Sequence, residues 1–314
     1  MSNPSLSSSS IAAQNQLVTW LNEAGLAEGG RRAELLRKAA EVLLHQLPAL
    51  LPAHLDLVLS HAADKHTDVK KVVIGFIEQI SSVSPDLLPR CVALLGALAG
   101  GGGAAAVQKR AIQAASLVFR NALLWLPQAA LDRPADAKLV WDELTKLKLV
   151  VLNLVDNDNE GIRTHSVKFL EEVVHLQTPA DPGAAPAERP PPLPALPGLD
   201  RAALQQEAEH IFQLLVKFHS SAHISAVNLM ACTAALCGLA RARARHAPPA
   251  ARALAALLQD LPPTLSQGIA RPTRSPGYSP AHPAAERRAS AATPPPPPPP
   301  PPDATWSRLQ HHNM

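Results

Sequence analysis

Residues 156–167 read DNDNEGIRTHSV, and the alternation of Asp156, Asp158 and Glu160 before Gly161 is the spacing that opens an EF-hand calcium loop. Such a loop closes its coordination shell with a bidentate Glu at its twelfth position and carries an apolar residue at its eighth. Here those positions hold Val167 and Arg163. Losing the bidentate ligand removes about two of roughly seven oxygens, so the stretch lacks the chemistry of a calcium site. The same residues have a second use. A helix N-terminus carries partial positive charge and unsatisfied N–H groups, and carboxylates there are worth about 0.5–2 kcal/mol as caps. On this reading Asp156, Asp158 and Glu160 cap a helix, Gly161 permits the tight approach of the chain, and Arg163 reaches the acidic turn of the same or an adjoining unit. The stretch is expected to bind no metal.

No other group of residues assembles a catalytic set. The chain has no nucleophile elbow, glycine-rich phosphate loop or HExxH pattern, so neither an enzyme nor a cofactor is expected. His165 and His175 are ten residues apart and cannot chelate together. Cys91, Cys232 and Cys237 form no metal pattern and read as small buried hydrophobes. Arg241, Arg243 and Arg245 stand where a helix should end, and basic residues there complement the dipole; the rival reading is a phosphate- or RNA-binding patch. Sequence-specific RNA binding is disfavoured because base stacking needs aromatic platforms, and aromatics are only 3% of the chain.

The elements that would position these residues are helices. Hydrophobic residues make up 46% of the 314, carried by Leu, Ala and Val, which favours stacked helices over an aromatic-rich β core. The net charge of +3 is too mild to argue for nucleic acid or an anionic membrane. The N-terminal MSNPSLSSSS has neither the basic start nor the apolar run of a secretory signal, and no window reaches a membrane span's length of uninterrupted apolar residues. From about residue 14 to 260 apolar residues recur at three- and four-residue steps. Helices are expected at about 14–26, 31–47, 49–62, 67–82, 85–99, 105–126, 136–155, 160–177, 200–219, 222–245 and 249–260. In the first, Leu17, Val18, Leu21 and Leu26 form the apolar side; in the second, Leu35, Leu36, Ala39, Val42, Leu43 and Leu47. Short connections make successive helices antiparallel neighbours.

Four of the helix starts resemble one another. TDVKKVVIGFIEQI offers a polar turn with Asp68, then Val69-Lys70; AVQKRAIQAASLVF offers Gln108-Lys109; EGIRTHSVKFLEEV offers Ile162-Arg163; AHISAVNLMACTAAL offers Ile224-Ser225. The step from Val69 to Gln108 is 39 residues, close to the period of a HEAT or armadillo unit. An acidic turn followed by an apolar–basic pair at a second-helix start points to an all-α, HEAT/armadillo-type α-solenoid of antiparallel helix pairs. Residues 1–13 are expected to be a disordered N-terminus and 14–267 the repeat domain. The segment 178–198 has eight prolines in 21 residues and reads as an exposed loop. Residues 268–314 read as a disordered Pro-rich tail. Its run Pro294–Pro302 has the composition of an SH3, WW or profilin-type ligand.

The runs ADKHTDVKKVVIGFIEQ, DNDNEGIRTHSVKFLEEVV and LPPTLSQ, in this order, resemble the N-terminal domain of the symplekin family over about residues 17–267. VIGFIE and EGIRTH carry most of the specificity. The resemblance implies a non-catalytic nuclear scaffold of pre-mRNA 3′-end cleavage and polyadenylation. Its N-terminal domain would be a curved stack of HEAT-type pairs that binds and supports an RNA polymerase II C-terminal-domain phosphatase through second helices of central repeats. The corresponding helix is 160–177, and the family's contact lysine falls on Lys168, with Thr164, His165, Glu172 and His175 sharing or bordering its polar side. Further cleavage and polyadenylation factors would join through the wider assembly. Two alternatives remain open: a HEAT-repeat adaptor at cell-junction plaques, and a cytoplasmic signalling adaptor acting through the Pro-rich tail. The turn Gly100–Ala106 departs from the pattern, being GGGGAAA where an acidic turn is expected.

Overall fold

A computed structural model describes residues 8–182 and 200–259. Among these residues the chain forms eleven α-helices and no strands, an α-solenoid. The helices are α1 (Ser8–Leu26), α2 (Gly29–Glu41), α3 (Leu51–Ser60), α4 (Thr67–Val83), α5 (Val92–Gly100) and α6 (Ala105–Asp132). They continue with α7 (Pro134–Asn153), α8 (Glu160–Gln177), α9 (Arg201–His219), α10 (Ala226–Ala242) and α11 (Ala247–Gln259). No single helix among the described residues is long and apolar enough to cross a membrane.

The second helices of the pairs make one layer, α2 packing on α4, α4 on α6, α6 on α8 and α8 on α10. The first helices stand behind them, with α5 against α7 and α9 against both α8 and α10. One continuous core runs from Leu17 to Ala253, built from Leu, Val, Ile and Ala with Phe76, Phe119, Phe169 and Phe212 as its largest fully buried apolar pieces and Trp125 and Trp141 at its margin. Phe119 and Phe169 meet edge to face with centroids 5.9 Å apart, locking α6 to α8. In α8 the expected stripe Ile162, Ser166, Phe169, Leu170 and Val173 is buried, and Val167 and Val174 widen it.

Several sequence boundaries move for identifiable reasons. Residues 8–13, expected to lie outside the repeats, belong to α1. The apolar side of α1 is Leu17, Leu21 and Ala24; Val18 and Leu26 face solvent. A spacing of four then three keeps residues on one face, whereas Leu26 falls beyond it. The helix expected at 31–47 ends as a π-helical turn, Val42–Gln46, ahead of Pro48. The helix expected at 105–126 runs on through Pro127 to Asp132. Gly29 adopts φ +52, a left-handed backbone at the start of α2 that only glycine tolerates at no cost.

Charged side chains join the units where helices end. Arg32 donates to Asp64 and, through Nε, to the carbonyl of Ala24 at 2.9 Å, tying α1 to the turn before α4. Asp64 is buried and also accepts from the His66 N–H at 2.7 Å. Burial would raise its carboxyl, but the His66 and Arg32 hydrogen bonds prevail and hold it at about 2. Lys148 of α7 is buried over Trp141 and paired with Glu207 of α9 at 2.6 Å. Arg243 is buried too, and donates through Nε to the carbonyl of Thr178 and through Nη2 to that of His175. It complements the C-terminal end of α8 rather than that of its own helix alone, which favours the dipole reading of this arginine over a phosphate patch. Thr178, expected in an exposed loop, is therefore buried, and Asp181 accepts from the Ala244 N–H at 2.7 Å. Residues 183–198 of that loop, and the tail with Pro294–Pro302, lie outside the described residues.

Candidate functional site

The acidic turn before α8 folds by a different device from the one its carboxylates suggest. The N-cap is Asn159, whose Oδ1 accepts from the Ile162 N–H at 3.2 Å, and Asn157 Oδ1 accepts from the Asn159 N–H at 2.9 Å. Asn competes well with Asp as a cap because its carbonyl oxygen does the same work. Asp156 closes a 3-10 turn and Asp158 stays exposed; neither caps the helix. Among the described residues no three His, Cys, Asp or Glu side chains converge as a metal site.

Arg163 does reach the turn, but through its backbone. Its Nη1 donates to the carbonyls of Asn157 at 2.7 Å and Asp158 at 3.1 Å. The rest of the guanidinium faces Asn228 of α10, which is fully buried. With the amide oriented to suit its neighbours, the Asn228 oxygen accepts from Arg163 Nε at 2.7 Å, and its nitrogen donates to Thr164 Oγ1 at 2.8 Å and the Glu160 carbonyl at 3.2 Å. Thr164 is thus half-buried and engaged between helices, not free on the polar face. Gly161 has a packing reason: a Cβ there would stand 2.8 Å from Cδ of Lys109, whose stem crosses the start of α8. At the start of α4, Asp68 pairs with Lys71 at 3.2 Å, and Lys70 is half-buried beside the Gly101–Gly103 turn.

The outward side of α8 carries His165, Lys168, Glu171, Glu172 and His175. Lys168 is exposed and has no hydrogen bond or ion pair among the described residues. Glu172, one turn on, does not pair with it; Glu172 Oε1 accepts from Nε of Arg120 on α6 at 2.7 Å. Burial lowers the His165 imidazole, and Lys168 and Lys109 lower it further. His175 is lowered by burial and by Arg243, against the opposing pull of Glu172. Glu171 turns the other way, toward Gly238 of α10, and is raised by burial and by Glu172. Lys168 is thus an exposed cation without a direct partner among the described residues: it draws the Glu171 carboxyl down against the effect of burial, while Glu172 is held by Arg120.

Exposed apolar side chains that the sequence did not single out lie on the neighbouring helices α6 and α10. On α6, Leu117 and Leu124 lie one turn to either side of Arg120, and Leu124 is 59% exposed. On α10, Met230 is 73% exposed, two turns before Gly238 on the same face. The only trace of them in the sequence is leucine at 117, 124 and 131, a seven-residue step on a helix whose core stripe is already complete without them. Burial pushes the Cys91 and Cys232 thiols up to about 12, which leaves them unreactive, whereas Cys237, also expected to be buried, is only half-buried.

A family model for the symplekin/PTA1 N-terminal domain matches residues 104–271, more than half of the chain. The chain belongs to the symplekin/PTA1 N-terminal family. The match begins at the cap of α6 and takes in α6, α8 and α10, the helices that carry Arg120, Lys168 and Asn228. Membership assigns the chain to scaffolds of mRNA 3′-end processing, with the nuclear role and the contacts to the processing machinery which that implies. Symplekin-family scaffolds work by holding other proteins, and the layered second helices are a wall suited to that.

Proposed function

We propose that the α6–α8–α10 face binds an RNA polymerase II C-terminal-domain phosphatase and supports its activity within the 3′-end processing assembly. The observation that carries this reading is Lys168: exposed, without a hydrogen bond or ion pair among the described residues, and on the helix that the resemblance singles out, with Leu117 and Leu124 exposed on α6 and Met230 on α10. An acidic residue of the partner would meet Lys168, and apolar residues around it would cover the leucines and the methionine. A lysine without a direct partner in the free protein has no ion pair to give up on binding, so a cross-interface pair gains whatever exceeds the cost of its desolvation. His165, Glu172 and His175 border the contact, with Glu172 and Arg120 holding its floor rigid. Thr164 supports it from beneath through Asn228.

The scaffold acts without chemistry of its own, by presenting a rigid surface that favours the partner's active arrangement. Turnover of a phosphoserine peptide by the purified phosphatase, with and without the full chain, tests this. A rise in rate that saturates with added chain, and that Lys168→Ala weakens, supports the proposal. A rate indifferent to the chain refutes it.

A further inference from the structure

A second charged feature lies on the side of the layer where α4, α6 and α8 begin. Lys65 and Lys70 border a cavity of about 250 Å³ closed by Thr67, Gln108 and the Gly101–Gly103 turn. Lys109 follows Gln108 and crosses Gly161 onto α8. Lys109 and Lys168 both act on the His165 imidazole, and no carboxylate opposes them there. The four lysines follow one another along this side of the layer, Lys65 and Lys70 around the start of α4, Lys109 on α6 and Lys168 on α8, and make a basic track. Lys70, Lys109 and Lys168 have no ion-pair partner among the described residues, and Lys65 has only a surface pair with Glu28. The nearest carboxylate of α4, Asp68, is taken by Lys71.

We propose that this track binds a phosphorylated peptide, with a phosphoserine seated in the cavity between Lys65, Lys70 and Thr67 and the following chain running past Lys109 toward Lys168. Ammonium groups and a hydroxyl around a small cavity suit a phosphate monoester, whose oxygens accept from all of them. Single-stranded RNA fits less well. It needs aromatic side chains to stack its bases, and among the described residues the Trp and Phe side chains are buried or packed against the core. The proposal stands independently of the phosphatase, since it needs only this chain.

Fluorescence anisotropy with the full chain tests it, using a labelled Ser-Pro peptide carrying two phosphoserines, its unphosphorylated twin and an oligouridylate of matched charge. The phosphopeptide should bind saturably, about tenfold or more tighter than either control. Lys70→Glu and Lys168→Glu together should weaken it about tenfold, while Lys217→Glu on α9 leaves it unchanged. Neither tested lysine makes a hydrogen bond or ion pair among the described residues, and Lys168 acts on Glu171 only through space, so both variants should keep the helicity of the parent, checked by circular dichroism. Absence of saturable binding, equal affinity for the unphosphorylated twin, tighter binding of the oligouridylate, or indifference to the double reversal would each overturn the proposal. Lys70→Glu alone should weaken the phosphopeptide and spare the phosphatase, which separates this track from the docking face.

Discussion

Replacing Asn228 by alanine should unlatch α8 from α10. The fully buried amide takes Arg163 Nε at 2.7 Å and Nη2 at 3.2 Å, and gives hydrogen bonds to Thr164 Oγ1 and the Glu160 carbonyl. A hydrogen bond to a charged group contributes about 1.5–3 kcal/mol, and a neutral one about 0.5–1.5 kcal/mol. Arg163 and Thr164 are half-buried, so water recovers part of what they lose, and the carbonyls of Asn157 and Asp158 still hold one end of the guanidinium. The net cost should be about 2–4 kcal/mol, or a fall in melting temperature of roughly 5–15 °C for a helical unit of this size. Asn228→Asp is the informative companion. Its carboxylate would keep and strengthen the Arg163 contact but turn an acceptor toward the Glu160 carbonyl, so it should cost distinctly less than alanine. Thermal and urea unfolding followed by circular dichroism measure both. An alanine variant within about 0.5 kcal/mol of the parent would refute the latch.

Three further outcomes follow from buried groups. Lys148→Met should leave stability unchanged or slightly higher, because it removes a buried charge along with its desolvation cost, whereas Glu207→Ala strands that charge and should cost about 1–3 kcal/mol in the same unfolding assay. His219 and His246 are buried and burial lowers both imidazoles, so below about pH 6.5 the unfolded chain takes up protons that the folded one refuses. Stability should therefore fall as pH drops from 7 toward 5, and His246→Phe, stacked on Phe212, should flatten that fall; the lowered Asp64 carboxyl adds a separate loss only between about pH 4 and about 2. Gly29→Ala should cost about 1 kcal/mol because its φ of +52 is left-handed, which a urea midpoint would show.

Much of the fold was legible because burial in a solenoid repeats locally. Ile162, Ser166, Phe169, Leu170 and Val173 lie on one helical stripe, and residues at such spacing have one place to go. The same periodicity located eleven helices, and the opening of α8 is a capped helix start, though with Asn159 in place of the expected carboxylates. Failures arose where the deciding partner is distant in sequence. Asn159 displaced the carboxylates as the cap, which the residue types alone cannot rank. Glu172 left Lys168 for Arg120, 52 residues away, because α6 packs against that side of α8. Thr164 looked surface-polar until α10 brought Asn228 against it. The exposed Leu117, Leu124 and Met230 went unremarked because a helical stripe predicts burial and gives no sign of an apolar residue left outside it.

The central claim is that Lys168 anchors a phosphatase on the α6–α8–α10 face. Calorimetric titration of the full chain with the purified polymerase C-terminal-domain phosphatase, beside Lys168→Ala and Met230→Glu, tests it most directly. The account predicts saturable binding that each substitution weakens by about tenfold or more, with helicity intact. A folded chain that fails to bind, or that binds equally well with both substitutions, would contradict it.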